Sequence, residues 1–162
     1  MMKISCYKTT REFLVKTFCQ LAEKCYYSAE NTCVITDNAD LTQELDQVLW
    51  TYSRKHFIPH ATEQDLFAEK QPIYITSSIE NPNKSKILIV INPTKEKFLS
   101  IISESNFTKY NSVTKLLIML DDTQKFDFIE INNLLEKSHL QNFIADFFER
   151  TNKGTWQKVL NT

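Results

Sequence analysis

The sequence predicts an α/β fold, a largely parallel sheet with helices on both faces. Two observations carry that prediction. Strand-like and helix-like stretches alternate along the chain, which is how parallel strands and their crossover helices are written. The inner strand segments "KILIVI" (86–91) and "KLLIML" (115–120) are apolar nearly throughout, as strands covered on both faces must be. A third observation limits what such a sheet can do. The chain holds a single glycine, Gly154, whereas dinucleotide sites and P-loops both need glycines for backbone N–H groups to approach phosphate.

Element by element, "ISCYK" (4–8) reads as a first strand. Leu14, Phe18, Leu21, Ala22 and Cys25 then fall at spacings of three and four, one face of a helix. "TCVITD" (32–37) is the second strand, and Asp37 or Asn38 caps a second helix striped by Leu41, Leu45, Val48 and Leu49. "QPIYIT" (71–76) is a strand, "KEKFLSII" (95–102) a helix. After Asp121 and Asp122 the pattern predicts helix to about Arg150, but Phe143, Ile144 and Phe147 lie round from Ile131, Leu134 and Leu135. A break at Ser138–His139, with Ser138 as a new N-cap, would repair the phase. Gly154 stands where a terminating residue is expected.

The chain has 162 residues, which predicts one domain over 1–162. Net charge is −1, so no global field marks a nucleic-acid binder. Lysine outnumbers arginine sixteen to three, a bias away from the residue suited to bidentate recognition. No apolar leader opens the chain and no stretch approaches the ~18 apolar residues of a membrane span, so a cytoplasmic protein is expected. Cys6, Cys19, Cys25 and Cys33 form no C-x-x-C pair and are expected as free, buried thiols.

The stretch "LWTYSRKHFIPH" (49–60) is too mixed for a core strand and too aromatic for an ordinary loop. On a helical wheel Leu45, Val48 and Leu49 all fall within a quarter turn of Leu41, whereas Trp50 falls half a turn away, opposite the core stripe. Pro59 restrains Ile58 and holds "HFIPH" extended. The connection from Trp50 to Gln71 runs about twenty residues, and loops that long in compact domains are usually functional or disordered. Two readings stay open. Trp50 and Phe57 face outward as an interaction hot spot, or they tuck under the loop as a satellite core.

Other candidate chemistry is thin. His56 and His60 have the spacing of a metal pair on a helix, but Pro59 intervenes and no third ligand is near. His60 is expected to fix the loop. Asp121–Asp122 follow a strand at the edge where α/β sites lie. They could hold Mg²⁺, or cap the next helix. The stretch 84–97 is rich in lysine and 121–150 in acids, a segregation that could steer an acidic partner and is more commonly a solvated face.

Taken together, "LDQVLWTYSRKHFIPHAT" (45–62), "QPIYIT" (71–76), "ENPNKSKILIVIN" (80–92) and the closing "TWQ" (155–157) resemble the chi subunit family of bacterial DNA polymerase III holoenzyme. The Leu-Trp pair, the step from Trp50 to Phe57 and Phe-x-Pro-His are the most specific elements. The resemblance covers residues 1–92, weakens through the last third and returns at Trp156.

The resemblance implies a single Rossmann-like α/β domain without a nucleotide site or cofactor. It also implies a non-catalytic adaptor, expected as a monomer or one-to-one heterodimer, that meets nucleic acid only indirectly. Its implied partners are the psi subunit of the clamp loader, the acidic, Phe-ending C-terminal tail of single-stranded-DNA-binding protein and, in some bacteria, a repair helicase. It implies that Trp50, Phe57, Ile58, Pro59 and His60 form the surface for psi or the helicase. For the tail it implies a basic and aromatic site on the last helix. Phe148 keeps the aromatic position, whereas Gln141, Asn142 and Asp146 stand where cations are expected. That leaves Lys137, Arg150, Lys153 or the lysines of 84–97 as its cations, or a chain that has dropped this partner. The alternative is an α/β enzyme or phosphate- or metal-binding protein using Asp121 or Asp122.

Overall fold

The computed structural model describes residues 1–140 and 142–159. Strand β1 (Met2–Lys8) leads to helix α1 (Arg11–Tyr27), then β2 (Thr32–Thr36) and α2 (Ala39–Thr51). A long connection holds β3 (Ala61–Thr62) and a 3₁₀ turn at Ala68–Lys70 before β4 (Ile73–Thr76). Then come β5 (Ile87–Ile91), α3 (Lys95–Ile102), the short α4 (Glu104–Phe107), β6 (Lys115–Leu120), α5 (Phe128–Lys137), β7 (Phe143–Arg150) and β8 (Trp156–Val159).

These strands form one sheet in the order β3-β4-β2-β5-β6-β1-β7-β8. Every pairing is parallel except the β7–β8 hairpin. Alternation along the central strands sorts side chains into two layers. Cys33, Ile35, Leu88, Val90, Leu116 and Ile118 meet α3 and α5 on one face. Val34, Ile73, Ile75, Ile87, Ile89 and Ile91 meet α1 and α2 on the other. Both layers are packed with apolar side chains, and β2, β4 and β5 are buried at every position. Each fully buried Ile or Leu stabilises by ~1.5–3 kcal/mol relative to exposure.

Three helices start at side-chain caps, the first of them at an expected position. Asn38 Oδ1 accepts from Leu41 N at 2.9 Å, Thr94 Oγ1 from Lys97 N at 3.2 Å and Asp127 Oδ1 from Glu130 N at 2.9 Å. No helix among the described residues is long and apolar enough to cross a membrane.

The helix expected through residues 143–150 is absent, and that failure explains the broken phase. Residues 143–150 are a strand, not a helix. Phe143, Ala145 and Phe147 turn toward α5 while Phe148 stacks on Tyr7 on the other face, a period of two that no helical break can reproduce. Pairing with β1 from Met2↔Phe143 to Lys8↔Glu149 fixes the register. Ser138 ends α5, its hydroxyl donating to the Leu135 carbonyl at 2.6 Å, and is no N-cap. Gly154 closes the β7–β8 hairpin at φ +82°, a left-handed value glycine adopts without strain. The connection from Trp50 to Gln71, expected as a loop, contributes β3 to the sheet edge.

Candidate functional site

Helix α2 buries Leu41, Thr42, Leu45 and Leu49, so the next position, Trp50, is thrown to the far side of the helix. Its side chain is 57% exposed. The chain then turns back over Ser53, whose Oγ accepts from the backbone N–H groups of Lys55 and His56 at 3.3 and 3.1 Å. Ile58 plugs into the cluster beneath α1 and α2 and is 1% exposed. In the extended segment before Pro59, Phe57 points the other way and is 51% exposed. The rings of Trp50 and Phe57 meet with centroids 4.8 Å apart.

His60 is the underside of this pair. Its imidazole is sealed from solvent and lies 5.4 Å from the Trp50 ring and 6.1 Å from the Phe57 ring. Nδ1 sits 2.7 Å from the Ile58 carbonyl oxygen. Nε2 sits 3.0 Å from the Asp46 carboxylate and 3.2 Å from the Asp46 carbonyl oxygen. The residue therefore ties the loop to α2, as its expected role in fixing the loop requires. The five residues named for this surface come together in unequal ways. Trp50 and Phe57 form the outer face, Pro59 is half-buried, and Ile58 and His60 are the base that holds them. Of the two readings left open for the aromatics, burial as a satellite core does not describe them, since both rings are more than half exposed.

Sequence reasoning missed three exposed apolar residues. Tyr27, exposed at the end of α1, packs edge-on to His56 with centroids 6.4 Å apart. Leu66 and Phe67 are exposed in the same long connection, with Phe67 in the left-handed region at φ +62°. An apolar pair inside the polar run "EQDLFAEK" was the available signal.

The residues named for a peptide tail are split. Phe148 stacks on Tyr7, centroids 5.4 Å apart, and Trp156 meets Tyr7 edge-on at 5.3 Å. The Arg150 guanidinium lies 3.7 Å over the Phe13 ring, a cation–π contact. Arg150 and Lys153 border a cleft of about 440 Å³ with Lys8, Thr9, Asp122 and Glu149. Lys137 ends α5, on the opposite face of the sheet and beside the other end of β7, so it does not join them. Asp146 is engaged by Lys158 at 2.9 Å. Gln141 lies outside the described residues. The 84–97 lysines are largely engaged elsewhere: Lys86 with Glu30 at 3.6 Å, Lys95 with Glu130 at 3.2 Å, and Lys97 with the Ser77 carbonyl.

The aspartate pair does not cap the following helix, and the oxygens of Asp121 are both engaged. Asp121 is fully buried. Its Oδ1 accepts from the Thr123 backbone N–H at 2.9 Å and from the Thr123 hydroxyl, and its Oδ2 from Asn92 Nδ2 at 3.2 Å and Arg11 Nη1 at 3.5 Å. Asp122 accepts from the Arg11 backbone N–H at 3.0 Å. It thus caps α1, whose own Thr10 makes no side-chain cap, while Asp127 caps α5. All four cysteines are free and buried. Burial pushes the Cys19 thiol up to about 12 and those of Cys6, Cys33 and Cys25 upward as well.

Fold and surface together define a glycine-poor, mostly parallel α/β protein that presents a paired Trp and Phe from the end of one helix. Comparison with known proteins gives that class its family. The pattern described as DNA polymerase III chi subunit, HolC, matches residues 1–125. A protein of Rickettsia prowazekii (strain Madrid E) named "Probable DNA polymerase III subunit chi" is 35% identical over 159 residues, spanning 98% of this chain and 93% of that protein. The chain belongs to the DNA polymerase III chi subunit family, a family of accessory subunits of a DNA replication holoenzyme.

Proposed function

We propose that this chain is a non-catalytic adaptor within the polymerase III holoenzyme, acting in the cytoplasm. Through the psi subunit it joins the clamp loader, and through a second surface it holds the C-terminal tail of single-stranded-DNA-binding protein. The observation that carries the reading is the Trp50–Phe57 pair, outward-facing yet seated on the buried His60 and Ile58. Paired aromatics on a rigid base match the anchors that dominate interface energies, and their pre-formed geometry lowers the entropic cost of association. The repair helicase is a further partner for this same patch.

A second function, catalysis or metal binding at Asp121–Asp122, draws no support from the geometry. Both oxygens of Asp121 are already taken by protein donors. Titration of this chain with psi, followed by calorimetry, tests the adaptor reading. A one-to-one complex that Trp50→Ala weakens supports it, and absence of any complex refutes it.

A further inference from the structure

The outer strands of the sheet are sealed on one face only. Phe143, Ala145, Phe147 and Val159 turn into the layer that α5 closes. Alternation sends Ile144, Asp146, Phe148 and Arg150 of β7 to the other face, with Trp156 and Lys158 of β8 and with Lys3, Ser5 and Tyr7 of β1. That face is open: Ile144 is 53% and Trp156 37% exposed. Three rings meet on it. Tyr7 stacks on Phe148 with 18° between the planes, and Trp156 meets Tyr7 edge-on. They stand on paired strands, so the sheet and not a loop fixes their spacing.

Cations surround these rings. Lys3 is the register partner of Lys115 on one side and of Ile144 on the other. Lys24 reaches from α1 into the cleft that Tyr7 lines. Arg150 and Lys158 are the register partners of Trp156 and Phe148. Of these five, Lys158 is offset by Asp146 at 2.9 Å. Lys3, Lys24, Lys115 and Arg150 form no ion pair among the described residues. Like charges on neighbouring strands are destabilising, and the whole chain carries only −1, so the positive surplus is local to this face.

Aromatic side chains on a sheet surface, ringed by cations, match the chemistry of a single nucleic-acid strand, whose bases stack on rings and whose phosphates meet lysine and arginine. A duplex fits poorly, because its bases are already paired and stacked and it offers this face only phosphates. We infer that the open face of β1, β7 and β8 binds single-stranded DNA directly. Membership of a DNA replication family selects DNA over RNA. From Ile144 to Arg150 the face runs ~20 Å along β7, room for the two or three bases that comparable sheets stack. One base rests against Ile144, with its phosphate at Lys3, Lys24 and Lys115. Another lies on the Trp156 indole, with its phosphate at Arg150. This goes beyond the adaptor reading, in which nucleic acid is met only through a partner.

The test is fluorescence anisotropy of the full chain with a labelled oligothymidylate, its duplex with oligoadenylate, and a labelled polyglutamate peptide, each at low and moderate salt. The single strand is expected to bind more tightly than the duplex and to weaken as salt rises. Trp156→Ala should weaken it roughly 10-fold, the loss of one stacked base. Lys115→Glu should weaken it by a similar factor and flatten the salt dependence. Lys115 is exposed, so that variant keeps its melting temperature and reports on binding even where Trp156→Ala loosens the hairpin. Trp50→Ala, toward the opposite edge of the sheet, should change nothing. No binding of the single strand at low salt, equal affinity for the duplex, or wild-type affinity in both variants overturns the inference. Binding of polyglutamate without the oligonucleotide also overturns it and makes this face a protein-docking surface.

Discussion

Trp50 rests edge-on against His60, ring centroids 5.4 Å apart, so an indole more than half exposed is supported by an imidazole that no solvent reaches. Exposure and rigidity rarely coincide in a loop. Here they do because the loop's inward residue is anchored in the core and its outward residues are not. Trp50→Ala and Phe57→Ala should therefore separate binding from stability. Each should change unfolding free energy by under ~1 kcal/mol, within the range of surface changes. Each should weaken association with psi by ~2 kcal/mol, about 30-fold. Urea melts beside calorimetric titrations check both, and equal losses in the two would assign the rings to the core.

The base should behave in the opposite way. Ile58→Ala removes a side chain that is 1% exposed, and ~2–5 kcal/mol of stability should go with it. His60→Ala leaves the Ile58 carbonyl and Asp46 without their partner, at a cost of about 1–3 kcal/mol. For a chain of this size 1 kcal/mol moves Tm by roughly 2–4 °C, so calorimetric scans resolve either variant from wild type.

The thiols predict alkaline sensitivity. Burial raises all four cysteines above the ordinary 9.0. Burial likewise raises Tyr7, and it raises Tyr74 and Tyr110 above 10.0. Well below pH 9 both states keep these protons and stability is unaffected. Above it the unfolded chain releases protons that the native state retains, so stability must fall as pH rises. Urea midpoints should hold from pH 7 to about 8.5 and drop steadily beyond. Iodoacetamide at pH 8 should leave the native thiols unmodified and label all four in denaturant, because the thiolate is the reacting form.

How much of this was legible in the chain differs by region. The two-sided apolar runs at 86–91 and 115–120 mark central strands because no other element buries every side chain over so short a span. The cap of α2 was legible at Asn38, whereas Thr94 and Asp127 were not named and Asp121–Asp122, offered as the cap of the next helix, serve elsewhere. Residues 143–150 were not legible, since "FIADFFER" fits a short apolar helix as well as a strand. What decides is tertiary, the open edge of β1 waiting for a partner. The Trp50–Phe57 surface could be placed because α2 has a clean stripe with Trp50 opposite it.

Asp121 supplies the last prediction, because it separates a structural carboxylate from a catalytic or metal-binding one. Its side chain ties the end of β6 to Asn92 after β5 and to Arg11 at the start of α1, where three chain segments leave the sheet together. Such a carboxylate is needed for shape, since its removal strands buried donors. Asp121→Ala should lower stability by about 1–3 kcal/mol or more, given the charge, and leave the affinity for psi unchanged at temperatures where the variant stays folded. Asp122→Ala removes only the borrowed cap of α1 and should cost ~0.5–2 kcal/mol. Wild-type protein should melt at the same temperature with and without Mg²⁺ or nucleotides. A site filled at 100 times its Kd would add ~2.7 kcal/mol, enough to raise Tm by roughly 5–10 °C. A rise of that size in wild type that Asp121→Ala abolishes would make this aspartate a ligand after all.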